Sequence, residues 1–232
     1  MWRAGAILLL VLVLTPARAQ EGHGCHDGHI SSDPATLRPG VIVGKQARNH
    51  FYSGDDFRKD CPGAGAVCRR KGFVVPGDKV LVAEEKAPGL VCVGFVNRRG
   101  TVSAGWLPEQ AVDIRQVPEP PLASWLGKWI YLNSTITIRR GKAAGTLDLD
   151  GDSWSKRYQS VNEGSFFGEA VKPNGNLVAF AYDAEKTIPF VKADKLDCAI
   201  KLALLHDLLV VEDNGNCGGA GVHFDGFYRR KR

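Results

Sequence analysis

Gly72-Phe73-Val74-Val75-Pro76-Gly77-Asp78-Lys79-Val80-Leu81-Val82 alternates apolar and polar residues on either side of a Pro-Gly-Asp turn. A period of two turns one face of an extended strand toward a core, and Pro-Gly-Asp is reversal chemistry, so this stretch reads as strand, turn, strand. The pattern extends outward in both directions. Upstream, Val41-Ile42-Val43 is a short strand, followed by a long polar stretch from Lys45 to Lys71. Downstream, Leu90-Val91-Cys92-Val93-Gly94-Phe95-Val96 is a strand, Asn97-Arg98-Arg99-Gly100 its turn, and Thr101-Val102-Ser103-Ala104-Gly105-Trp106-Leu107 its partner. Residues 40–114 therefore form a small, strongly bent antiparallel sheet.

Three prolines fall in residues 115–121, a composition that holds the chain extended and semi-rigid and marks a domain boundary. Residues 122–232 then read as longer alternating strands: 125–131, 134–138, 145–149, 153–155, 165–170, 177–182, 198–204, 208–212 and a closing pair at 221–224 and 227–228. Asp150-Gly151 and Pro173-Asn174-Gly175 are read as hairpin turns. Leu196, Ile200, Ala203 and Leu204 also have helix-like spacing, so a helix over 195–209 competes with the strand reading there. Up to eight antiparallel strands in sequence form a meander that closes into a barrel, which removes exposed edges. The expected fold is all-β, two barrels stapled by disulfides.

The address comes from the other end of the chain. Met1-Trp2-Arg3 is a short basic lead, residues 4–14 are apolar, and Ala17-Arg18-Ala19 has the small-x-small pattern of a cleavage site, so residues 1–19 read as a signal peptide cut near Ala19/Gln20. The apolar run is shorter than the ~20 residues that span a bilayer. A periplasmic or secreted protein is expected, with no transmembrane segment. Of 232 residues 213 remain, and the loss of Arg3 and Arg18 lowers the formal net charge from +5 to +3, too small to argue for nucleic acid. Basic clusters at Arg69-Arg70-Lys71, Arg98-Arg99, Arg139-Arg140 and residues 229–232 read as solvated loops and a tail, or as attraction for an anionic wall polymer or lipid head group. Export also gives Cys25, Cys61, Cys68, Cys92, Cys198 and Cys217 a structural reading, because oxidising compartments preserve disulfides. Cys61 and Cys68 flank a short flexible segment, Cys198 and Cys217 stand alone in the C-terminal half, and Cys25 is left for Cys92; no C-x-x-C pair favours zinc. Residues 20–39 read as a flexible lead-in, with His23, His26 and His29 offering copper or zinc ligands only as a lesser alternative.

The order strand, long loop, Gly-Asp strand, distal turn and Gly105-Trp106-Leu107-Pro108-Glu109-Gln110-Ala111-Val112 resembles a bacterial SH3-like barrel over residues 40–114. The resemblance implies a short 3₁₀ turn after Pro108, a closing strand, and binding of peptides or peptidoglycan stems. Ala111 stands where proline-peptide-binding relatives carry an aromatic, so the polyproline mode is not expected. Gly127-Lys128-Trp129 and Tyr228-Arg229-Arg230 resemble the first and last strands of a calycin-type barrel, the class of lipocalins and avidins. That likeness implies a tryptophan, Trp129, across the barrel floor with a basic residue of the last strand, Arg229, over its ring. The SH3-like part together with the Asp213-Asn214-Gly215-Asn216-Cys217-Gly218-Gly219 tail also resembles secreted proteobacterial proteins, some described as lysozyme-inhibitor-like, that carry no agreed activity.

No catalytic motif is present: there is no Gly-x-Ser-x-Gly elbow, His-Glu-x-x-His pair or phosphate loop. Asp148-Leu149-Asp150-Gly151-Asp152 departs from calcium-loop spacing, and Asp183, Glu185 and Asp194 read as solvated loop charges. No cofactor and no metal are implied. The expected function is non-enzymatic binding in the cell envelope, of a cell-wall peptide, a peptidoglycan fragment or a secreted protein, through Phe51, Tyr52 and Phe57 of the long loop with Trp106 and Pro108. Those aromatics read equally as core. The alternatives are an inhibitor of lysozyme or another wall hydrolase, and a calycin-like small-ligand carrier, which an interior filled by Trp129, Phe166, Phe180 and Phe224 would exclude.

Overall fold

The computed structural model describes residues 25, 29–54, 59–116, 119–157 and 159–231. The leader at 1–19, His23, His26 and Phe57 lie outside them. Two antiparallel sheets hold the strands, with no α-helix among the described residues. The first contains β1 (Arg38–Ile42), β2 (Asn49–Tyr52), β3 (Arg69–Val74), β4 (Lys79–Ala87), β5 (Leu90–Val96), β6 (Val102–Pro108) and β7 (Val112–Ile114), in the order β3-β2-β6-β5-β4-β1-β7. Part of the polar stretch 45–71 is therefore strand rather than loop. Its β2 reads Asn-His-Phe-Tyr, with Asn49 and Phe51 buried and His50 and Tyr52 half-buried, an alternation too short to stand out in a polar background.

The second sheet contains β8 (Gly127–Tyr131), β9 (Ser134–Arg140), β10 (Leu147–Arg157), β11 (Ser160–Val171), β12 (Leu177–Tyr182), β13 (Thr187–Pro189), β14 (Cys198–Leu205), β15 (Leu208–Asp213) and β16 (Gly226–Arg230). Its order, β11-β10-β9-β8-β16-β15-β14-β12-β13, brings the last strand beside the first and nearly closes a barrel. The seam lies where edge strand β11 meets β12 and the short edge strand β13. There the Thr187 hydroxyl accepts a hydrogen bond from the Glu169 amide at 2.7 Å and donates to the Phe167 carbonyl at 3.3 Å, drawing β13 against β11.

One expected turn is not a turn. Strand β10 runs straight through Asp150-Gly151, pairing Asp150 with Thr137 and Gly151 with Ile136, and the chain reverses between Arg157 and Ser160. Gly151 is there for space: a Cβ would stand 2.1 Å from the Phe166 ring, so only a bare backbone lets that ring fill the barrel. The helix alternative at 195–209 gives way to the β14–β15 hairpin, which reverses at His206-Asp207. Residues 221–224, expected as a strand, are a loop.

Strands with uninterrupted apolar runs are those pressed from both sides. In β14 and β15, Ile200, Leu202, Leu204, Leu209 and Val211 fill the barrel, while Ala203, Leu205, Leu208 and Val210 face outward. That outer face joins Leu90, Cys92, Val96 and Trp106 of the first sheet in a shared inter-sheet core. The other face of β5, Val91 and Val93, packs with Ile42, Phe51, Val74 and Leu107. Two-sided burial explains why these segments lack the alternation of a half-exposed strand. The N-terminal segment completes the shared core: Cys25, Ile30 and Leu37 are buried in it, and Gly94 leaves room for Ile30, whose Cγ2 would be 2.8 Å from a Cβ there.

Disulfides join Cys25 to Cys92, Cys61 to Cys68 and Cys198 to Cys217, and no cysteine is free. Three bridges fit an oxidising, extracytoplasmic setting. Among the described residues no helix is long and apolar enough to cross a membrane.

Candidate functional site

Four of the five residues expected to form a binding surface are described, and they do not form one. Phe51 is buried in the small core of the first sheet, and Trp106 is buried in the inter-sheet core with Tyr52 packed against it. Pro108 is partly exposed where β6 ends. The strand register decides this: Tyr52 pairs with Trp106, and Trp106 with Cys92, so the indole lies on the face that the barrel covers.

At the barrel's closing strand a single residue of register separates expectation from structure. Arg230, not Arg229, lies over Trp129, with its guanidinium carbon 4.7 Å from the ring centroid. It pairs directly with Trp129 across β16 and β8 and donates to the Ser124 carbonyl. Because successive side chains of a strand point to opposite faces, Arg229 is aimed outward at the first sheet. There it donates to the Val96 carbonyl at 2.7 Å and the Asn97 carbonyl at 3.1 Å, and pairs with Asp207 at 2.9 Å. The Trp129 indole N–H donates to the Trp125 carbonyl at 2.9 Å.

Inside, Trp129, Phe166, Phe180 and Phe224 are all at most 2% exposed. Phe166 stands 4.8 Å from Phe224 and 5.8 Å from Phe180 between centroids. Aromatic packing of this kind leaves the barrel solid, which argues against a carrier of small ligands in its interior.

Asp213, His223 and Asp225 bring their ligating atoms within 4.8 Å of one another. Their bonds show a loop clamp. Asp213 receives the Gly215 amide on Oδ1 at 2.5 Å and the Phe224 amide on Oδ2, and its own amide donates to Asp225 Oδ1 at 2.7 Å. Asn214 accepts from the Ala199 amide at 3.1 Å and donates to the Asp197 carbonyl at 2.8 Å, while Asn216 donates to the Lys195 carbonyl at 2.7 Å. The Asp-Asn-Gly-Asn-Cys-Gly-Gly run is thus the chemistry of a loop folded over the barrel's end. Asp183 and Asp194 act likewise in turns, and two backbone amides hold the Asp183 carboxyl below its usual range. His206 and Asp207 are not a working pair. The His206 Nε2–H donates to the Gly40 carbonyl at 3.0 Å, with that of Val80 at 3.3 Å, and burial lowers the ring's pKa, whereas Asp207 pairs with Arg229.

What remains is a cleft between the sheets. It encloses about 600 Å³, and the Arg98–Arg99 turn, the β8–β9 turn and the end of β16 form its walls. Arg98, Arg99, Arg229, Arg230 and Lys231 line it together with His29, and no carboxylate does among the described residues. Arg229 and Arg230 are held as described above. The side chains of Arg98, Arg99 and Lys231 have no ion-pair or hydrogen-bond partner among the described residues. The Arg98–Arg99 turn is braced by Asn97, whose Oδ1 accepts from the amides of Arg99 at 2.8 Å and Thr101 at 3.1 Å. Three cations without an acidic partner, Arg98, Arg99 and Lys231, at one concavity raise a positive potential that a bound anion would relieve. The basic clusters at 98–99 and 229–232 were visible in the sequence; their meeting across two sheets was not. No protein-family model, no curated protein and no solved structure matches this chain.

Proposed function

We propose that this chain is an exported, non-enzymatic binding protein of the cell envelope that takes an anionic ligand in the cleft between its sheets. One observation carries the reading: five cationic side chains line the cleft, and three of them, Arg98, Arg99 and Lys231, have no acidic partner among the described residues. The disulfides support an extracytoplasmic address. The Gly-Trp-Leu-Pro run in β6, followed by a 3₁₀ turn at Glu109–Ala111 and then β7, supports an SH3-like reading of the first sheet. Arg230 over Trp129 and the neighbouring first and last strands support a calycin-like reading of the second. On this reading the two barrels are scaffolds, and the ligand meets the surface where they join rather than the aromatics of the 49–60 segment.

The test is binding of inorganic pyrophosphate by calorimetry, and retention on purified peptidoglycan carrying anionic polymer, at low and physiological salt. Binding that weakens with salt and is lost in Arg98→Glu/Arg99→Glu is expected. No binding of either probe at low salt would overturn the reading.

A further inference from the structure

The class of ligand follows from the apolar half of the same cleft, and the inference rests on the anion-binding reading above. Beside the cations, Ile30, Val102, Ile130 and Phe227 supply a hydrocarbon floor, and Leu132 stands at the rim. Leu132 combines an exposed apolar side chain with the tight turn that holds it out. It is 81% exposed, although a large apolar side chain gains by burial. It also occupies the first position of the two-residue turn between Tyr131 and Ser134 with φ 47, a left-handed conformation that favours glycine and strains leucine. Its neighbour Ile130 is 37% exposed. The positive φ answers to the two-residue hairpin, as it does at His206 in the β14–β15 turn, but exposing a leucine side chain there does nothing for the fold. An apolar side chain held out at the rim of a cationic cleft points instead to a contact made outside the molecule.

Unpaired Arg98, Arg99 and Lys231 beside a protruding leucine form a polar-charged and an apolar half at one mouth. A soluble polyanion has no use for the apolar half. A lipid head group with its acyl chains uses both, because cations engage phosphate while an apolar side chain enters the hydrocarbon boundary. We propose that the cleft docks the phosphate-bearing head group of an anionic phospholipid at a membrane surface, with Leu132 inserted beside it.

The experiment is sedimentation of the disulfide-intact protein with vesicles of phosphatidylcholine, with and without phosphatidylglycerol, beside calorimetry with inorganic pyrophosphate. Binding to the phosphatidylglycerol vesicles and not to pure phosphatidylcholine is expected. Each surface cation contributes about fivefold, so Arg98→Glu/Arg99→Glu should weaken vesicle binding by roughly 25-fold or more. Leu132→Gly removes the side chain and the strain together. It should melt at or above the parent temperature, keep pyrophosphate binding, and lose about tenfold on vesicles. Leu132→Asn, which tolerates the same backbone, should lose vesicle binding likewise. Pyrophosphate binding without vesicle binding, or Leu132 variants that hold vesicles as the parent does, would overturn the lipid assignment and leave the anion-binding reading standing. Failure of both probes would overturn both.

Discussion

Replacing Gly151 by alanine probes the packing that makes the barrel solid. A Cβ there would lie 2.1 Å from Cε1, 2.5 Å from Cζ and 2.6 Å from Cδ1 of Phe166. The ring would have to retreat by about 1.3 Å to reach ordinary van der Waals contact. It has no free space to retreat into, being fully buried against Phe180 and Phe224. Overpacking of this kind costs about 1–3 kcal/mol. Relief of glycine's entropic handicap in a strand offsets about 0.5–1 kcal/mol of that. Central values leave a net loss of about 1 kcal/mol, a fall in melting temperature of about 2–4 °C for a chain of this size. Calorimetry on Gly151→Ala, Phe166→Leu and the double variant measures it, and the leucine, which lacks the ring, should recover about 1 kcal/mol of the alanine's cost as a coupling energy. If Asp150-Gly151 were a hairpin turn, alanine would strain the turn alone and show no coupling to Phe166. An alanine variant as stable as the parent, or a strictly additive cycle, refutes the placement.

Stability should fall on acidification below about pH 6.5. Burial holds the His206 pKa below its ordinary 6.5, so in the window beneath that value the unfolded chain binds the proton more readily than the folded one. Denaturant midpoints at pH 7.5 and 5.5 should differ less in His206→Asn, which tolerates the φ of 57 at that turn. Removing Cys25–Cys92, which closes 67 residues, should cost about 4 kcal/mol, against about 2 kcal/mol for Cys61–Cys68, which closes 7, as read by thermal melting. Arg230→Gln should cost about 0.5–1 kcal/mol through the lost contact with Trp129, and Trp129 fluorescence should change with it. Asp213→Ala should destabilise the barrel by about 1–3 kcal/mol, because two amides lose their acceptor, and chelators should leave the parent's melting point unchanged.

Much of the strand framework was legible because alternation and turn chemistry are local. Val80 to Val82 and Leu90 to Val96 declare themselves within a few residues, whereas β11 and β12, expected to form a hairpin about Pro173-Asn174-Gly175, do not pair. The errors came where a local signal had a distant cause. Asp-Gly at 150–151 has the composition of a turn, yet its glycine answers to a phenylalanine on the next strand. Phe51 and Trp106 read equally as surface or core by residue type, and only strand pairing carries them into cores. Arg229 and Arg230 are indistinguishable until register assigns one to each face of β16.

By itself the sequence determined the all-β class, the approximate positions of most strands, the apolar leader pattern and the cysteines available for bridging, since each depends on residue type and short spacing. The tertiary structure alone decided which sheet faces meet, why β14 and β15 are apolar on both sides, and that Arg98, Arg99 and Lys231 share one cleft with Leu132. Residues more than a hundred positions apart become neighbours there through strand order and the packing of two sheets. No local pattern encodes that proximity, because it is set by burial of the whole inter-sheet core.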